Sequence, residues 1–173
     1  MASNTYTLIS SNVLGSSAAS VTFSSIPATY TDLVLRVSAR TNTATALASA
    51  RFTLNGLATA IYSYTQINAS GTTVTSNRAS GGTEIDIYLD GNTATASTFG
   101  SSEFYIPNYQ SAVKKPIGSF SVTENNSGTI NDISPKASLV DLTSAVTSVG
   151  FVLPGVEVFV TGSSFYLYGI KNS

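Results

Sequence analysis

The 173 residues contain no cysteine and no histidine. The first absence rules out a disulfide framework and any thiolate ligand or nucleophile, and it leaves the redox compartment open. The second removes the commonest general base and the commonest transition-metal ligand together, so serine-hydrolase triads and zinc hydrolases would need unusual substitutes. Charge is scarce as well, at 10% of residues against the usual quarter or so. Eight basic and nine acidic side chains give a net charge of −1, too weak a field to hold a phosphate backbone or an anionic bilayer. Neither nucleic acid nor membrane is an expected partner. No apolar run approaches the length of a membrane span, and residues 1–6 lack the basic segment and apolar stretch of a signal peptide.

In place of charge the chain has hydroxyls: Ser and Thr supply roughly three residues in ten, so the surface is expected to be mostly hydroxyl and amide. At 42% hydrophobic content it has material for a real core, and residues 1–173 are expected to form a single domain. Helical periodicity is nearly absent. Short runs rich in Val, Ile, Thr, Tyr and Phe alternate with Gly, Asn, Ser and Pro, which predicts an all-β fold. About ten strands are expected, in a two-sheet jelly-roll (Greek-key) sandwich.

The last strand, 163–170, organises this expectation. Phe165, Leu167 and Gly169 share one face and Tyr166, Tyr168 and Ile170 the other, so both faces are expected to be covered. Its natural partner is 32–40, where Leu33, Leu35 and Val37 alternate with Arg36, Ser38 and Arg40. That pairing would close the end of the chain onto its first third. Gly169 marks a place where a neighbouring backbone or ring approaches closely. Gly15-Ser16-Ser17 reads as a hairpin turn between the first two strands, Asn55-Gly56 as a strong turn, and 68–82 as a long solvent-facing loop. Residues 41–49 and 129–142 are ambiguous, the second because of Pro135.

Few residues suggest chemistry. Glu84 and Asp86, two apart on one strand face, could supply the carboxylate pair of a glycosidase, but a solvent face beside Ile85 and Ile87 explains them. Asp90-Gly91-Asn92 has oxygens for calcium without the further carboxylates of a dedicated loop, and a plain hairpin turn is expected. Lys114-Lys115 fits a solvated loop. Asn68-Ala69-Ser70 and Asn125-Asn126-Ser127 match the glycosylation pattern by chance in an Asn- and Ser-rich chain. The nine tyrosines are the more informative set. Among them Tyr62, Tyr64, Tyr105 and Tyr109, with Tyr166 and Tyr168, are candidates for a subunit interface or a sugar-stacking platform. No catalytic constellation, cofactor motif or metal site is present, so the chain is expected not to be an enzyme.

Residues 6–11 and 14–27, then 30–36, and the closing Gly162-Ser163-Ser164-Phe165 with Leu167-Tyr168-Gly169-Ile170-Lys171, resemble a family of small jelly-roll structural proteins of tailed bacteriophages. The resemblance covers about the first forty residues and the last ten, and its motifs bear on fold more than on role. It implies a viral structural protein on the outer capsid surface of the virion. Such a capsid decoration (cement) protein would bind the major capsid protein, associate as a homotrimer and stabilise the head. The related alternative is a distal tail-fibre or carbohydrate-binding module that recognises host surface polysaccharide. Because the first strand begins within a few residues of Met1, a free-standing module that docks by its own surface is expected, which favours the capsid.

Overall fold

The computed structural model describes residues 5–124, 126 and 131–171. They form twelve strands in two antiparallel sheets, an all-β sandwich with two strands more than the sequence suggests. The strands are β1 (Tyr6–Val13), β2 (Ser20–Phe23), β3 (Asp32–Ala39), β4 (Leu47–Leu54), β5 (Tyr62–Ser70), β6 (Thr73–Gly82), β7 (Ile85–Asp90), β8 (Gly100–Ile106), β9 (Lys115–Glu124), β10 (Asn131–Val140), β11 (Val149–Val152) and β12 (Ser164–Ile170). Eight make one sheet in the order β1-β12-β3-β8-β9-β10-β5-β6, and four make the other in the order β2-β11-β4-β7.

The pairing of the last strand with Asp32–Ala39 is as expected, Leu167 opposite Leu35 and Phe165 opposite Val37. β12 also pairs with β1 on its other side, Tyr168 opposite Leu8, so the end of the chain is tied down between two strands. Only one face of β12 is fully covered: Phe165, Leu167 and Gly169 are buried, while Tyr166 and Tyr168 stay half-exposed on the outer side. Gly169 lies against the ring of Tyr30, so close that a Cβ there would sit 2.3 Å from Cγ.

The core forms where the small sheet faces the large one. Phe52 of β4 and Phe151 of β11 meet Phe104 of β8 and Phe165 of β12, with ring centroids 4.5 to 5.7 Å apart. Ile85, Ile87 and Leu89 extend this layer from β7. Aromatic packing of this kind stabilises the sandwich beyond simple area burial.

Several local expectations change. Gly15-Ser16-Ser17 does turn the chain, but β1 and β2 lie in different sheets, so the turn is a crossover and not a hairpin. Residues 68–82 are not a loop: β5 runs to Ser70 and β6 returns from Thr73, pairing Ala69 with Val74 and Thr65 with Arg78. Residues 131–140 form a strand despite Pro135, and the β10–β5 ladder is interrupted over Ser134 and Pro135, where proline has no N–H to give. Asp90 does not end in a hairpin either, because β7 and β8 belong to different sheets. The 91–99 segment instead wraps the buried guanidinium of Arg40, which donates to the carbonyls of Asn92, Ala94, Thr95 and Thr98. Both residues of Asn55-Gly56 adopt positive φ, as a tight turn at that dipeptide requires.

Candidate interaction surface

Because the large sheet has twice as many strands as the small one, half of it extends beyond the core. The two faces of this overhang, made of β9, β10, β5 and β6, and of β8 at its border, differ sharply. Strand alternation puts Tyr105, Gly118, Phe120, Val122, Ile133, Pro135, Ala137, Leu139 and Ile67 on the outside. Of these, Ile67, Tyr105, Phe120, Ile133 and Leu139 are exposed, and Val74 of β6 joins them. The register aligns them in rows across the strands: Glu103, Phe120, Pro135 in one, and Val122, Ile133, Ala69, Val74 in another.

Beside the Phe120–Pro135 row, on the side away from Val122 and Ile133, runs a row of small side chains, Gly118, Ala137 and Thr65, with Tyr105 at one end and Arg78 at the other. It forms the floor of a shallow groove of about 560 Å³ whose walls include Phe120, Pro135 and Ile67. The four strands that line it, β8, β9, β10 and β5, at about 4.8 Å spacing make it about 14 Å long. Nothing lies within 4 Å of a Cβ placed on Gly118, so the floor is open to a partner. Tyr105 is held in place: its hydroxyl donates to Asp32 Oδ2 at 2.8 Å, and Asn108 N donates to the other carboxylate oxygen at the same distance. That bond to a carboxylate pushes the Tyr105 phenol above its ordinary pKa, so it remains a neutral donor.

The inner face of the overhang is polar apart from Tyr62, Ile117 and Val140, which join the core. Lys136 is buried there beneath Tyr64 and Tyr88, with its Nζ 4.6 Å and 5.7 Å from the two ring centroids and donating to the carbonyl of Asp86 at 2.5 Å. Burial lowers the Lys136 amine to a pKa of about 8, partly opposed by the Asp86 carboxylate. Burial raises Asp86 in turn, with Lys136 opposing. Cation–π contact and a carbonyl acceptor thus clamp the overhang to the β7 edge.

The tyrosines expected to act together are dispersed. Tyr62 and Tyr109 are fully buried, Tyr62 donating to Leu57 O and Tyr109 to Pro27 O, so neither offers a ring to a partner. Tyr64 faces inward over Lys136, and only Tyr105 lies on the exposed face. Tyr166 and Tyr168 stack on the outer side of β12, their centroids 6.4 Å apart. The apolar residues of the outer face were missed in the sequence because Gly118, Pro135 and Ala137 dilute the alternation around Phe120 and Ile133.

Other candidates also move. Glu84 sits 3.4 Å from Arg51, and Asp86 is half-buried beside Lys136 with Arg51 and Glu84 also acting on it, so the two carboxylates lie on a half-buried face among cations. Lys115 is fully buried, donating to the carbonyls of Ser111 and Val113, whereas Lys114 is exposed and pairs with Asp141 at 2.9 Å. Asn68 lies within β5; Asn125 and Ser127 lie outside the described residues. Among the described residues no group of three or more His, Cys, Asp or Glu is placed to hold a metal, and no helix is long and apolar enough to cross a membrane. The chain matches no family model, no curated protein and no solved structure.

Proposed function

We propose that this chain is a viral structural protein, a capsid decoration (cement) protein that sits on the outer surface of a phage head, binds the major capsid protein and stabilises the shell. The observation that carries the proposal is the outer face of the eight-stranded sheet, where Ile67, Val74, Tyr105, Phe120, Ile133 and Leu139 are exposed together. Contiguous exposed apolar surface with a polar rim is characteristic of protein docking sites. A rigid sheet held by a phenylalanine core also loses little entropy on docking. The phage-family resemblance supplies the capsid and the homotrimer. Strand order supports the jelly-roll part of that resemblance: with β1, β12 and the β9–β10 pair set aside, the sheets read β2-β11-β4-β7 and β3-β8-β5-β6, as in two interlocked Greek keys.

Phe120 is the anchor that tests the surface. It is 45% exposed, so Phe120→Ser costs the fold no more than about 1 kcal/mol. If Phe120 is a central docking residue, the same change weakens binding to particles by about 2 kcal/mol, roughly thirtyfold. Co-sedimentation with undecorated heads measures this, and heat challenge of heads with and without the chain measures cementing. Light scattering on the free chain tests the trimer. Heads equally resistant to heat in both states would remove the cementing role.

One feature favours the tail-fibre or carbohydrate-binding alternative: the groove, with Tyr105 and Phe120 beside a glycine floor and Arg78 on the next strand beyond Thr65, offers aromatic rings and polar groups to an extended polysaccharide. Retention of the chain on host envelope polysaccharide, abolished by Phe120→Ser, would promote that reading over the capsid.

A further inference from the structure

We propose that the pocket between the β7 edge and the inner face of the overhang binds a small neutral polyol the size of one sugar ring. The pocket has a volume of about 180 Å³ and is lined by Leu47 and Tyr88 from the small sheet and by Asn68, Thr123 and Ser134 from three strands of the large sheet. Each of these last three carries a side-chain oxygen that is buried and has no hydrogen-bond partner: Asn68 Oδ1, Thr123 Oγ1 and Ser134 Oγ. Thr123 and Ser134 are only 2% and 5% exposed. An unpaired buried polar atom disfavours folding, and three around one space call for a common partner. The site has a local cause: the β10–β5 ladder is interrupted over Ser134 and Pro135, opposite Asn68 and Ile67.

The lining selects the ligand class. Two hydroxyls and a carboxamide can donate and accept without net charge. No Lys or Arg lines the pocket, so an anion finds no countercharge, and Asp132 is the only carboxylate, too few for the oxygen cage of a calcium ion. Leu47 and the Tyr88 ring supply an apolar wall for the C–H face of a sugar. The ring is steadied by Gln66 Nε2, which lies 3.2 Å from the Tyr88 hydroxyl. The volume far exceeds the roughly 30 Å³ of one water and falls short of the roughly 300 Å³ where drug-sized pockets begin, which suits a single ring. This site is on the opposite face of the overhang from the groove and does not depend on the docking role.

The test uses the full chain, isotope-labelled and titrated separately with glucose, galactose and mannose while backbone amide shifts are followed. At least one hexose is expected to give saturable shifts at Asn68, Tyr88, Thr123 and Ser134. Thr123→Val replaces the unpaired hydroxyl with a methyl of the same shape and is expected to weaken that binding by about tenfold or more. Because the change removes an unsatisfied group, the variant keeps or raises its melting temperature, which separates lost binding from lost fold. The inference is overturned if no hexose moves these amides, if the shifts fall on Tyr105, Gly118 and Phe120 instead, or if Thr123→Val binds as well as the parent chain.

Discussion

Replacing Gly169 with alanine tests the packing of Tyr30 against β12. Gly169 lies in β12, opposite Thr7 of β1 and Leu33 of β3, so the backbone has little freedom to retreat. An alanine Cβ would stand 2.3 Å from Tyr30 Cγ and 2.5 Å from both Cδ atoms. Carbon atoms in contact prefer about 3.5 to 4.0 Å, so the ring must withdraw by about 1 Å or more. Tyr30 packs partly buried against the core, and its withdrawal disturbs neighbours as well as the ring. Overpacking of this kind costs about 1 to 3 kcal/mol, and a chain of this length loses about 2 to 4 °C of melting temperature per kcal/mol. Gly169→Ala is therefore expected to melt about 2 to 12 °C below the parent chain, read by circular dichroism. In a Tyr30→Ala background the clash is gone and the alanine is favoured over glycine within a strand, so the same change becomes neutral or mildly stabilising. An identical cost in both backgrounds, or no cost in the parent, would refute the Tyr30–Gly169 contact.

Two further perturbations address the polar parts of the fold. Arg40→Met removes the guanidinium donor from the carbonyls of Asn92, Ala94, Thr95 and Thr98 and is expected to cost about 3 kcal/mol or more in urea unfolding, with faster amide exchange at Ala94 and Thr98. Unchanged exchange there would mean that the guanidinium does not hold the loop. Lys136 makes stability depend on pH, because burial lowers its folded pKa to about 8 from 10.5. Below the folded value both states hold the proton and the burial penalty is present in full; between the two values the unfolded chain binds more protons, so stability rises with pH. Relative to Lys136→Met, the parent chain is expected to gain about 1 to 2 kcal/mol between about pH 7.5 and 9.5, below the range where Tyr62 and Tyr109, raised by burial, act in the opposite sense. A flat difference would show that the amine is well solvated.

Where side chains alternate against a core, the sequence is a good guide. Leu33, Leu35 and Val37 meet Phe165, Leu167 and Gly169 as the period of two requires, and the close approach at Gly169 has a visible ring as its cause. β6 has no such pattern. Every residue from Thr73 to Gly81 is exposed, so no core selects a hydrophobic face, and the strand exists because β5 offers it a ladder. Gly15-Ser16-Ser17 marks a reversal of the chain, but turn residues do not encode whether the next strand joins the same sheet. Lys115 looks like half of an exposed doublet, yet the 111–113 carbonyls fold over its amine and bury it. The tyrosines were legible as amphipathic residues but not as a group, because Tyr62 and Tyr109 find backbone acceptors inside the sandwich. The inner-face pocket follows from an interrupted ladder, which Pro135 hints at and only the register locates.

The most direct test of the proposed capsid role is an electron cryomicroscopy map of purified phage particles with this chain bound. The account predicts sandwich-shaped density at symmetric positions on the head, with the β9–β10–β5 outer face and Phe120 against the shell. Density at the tip of a tail fibre, or on the head with that face turned to solvent, would contradict it.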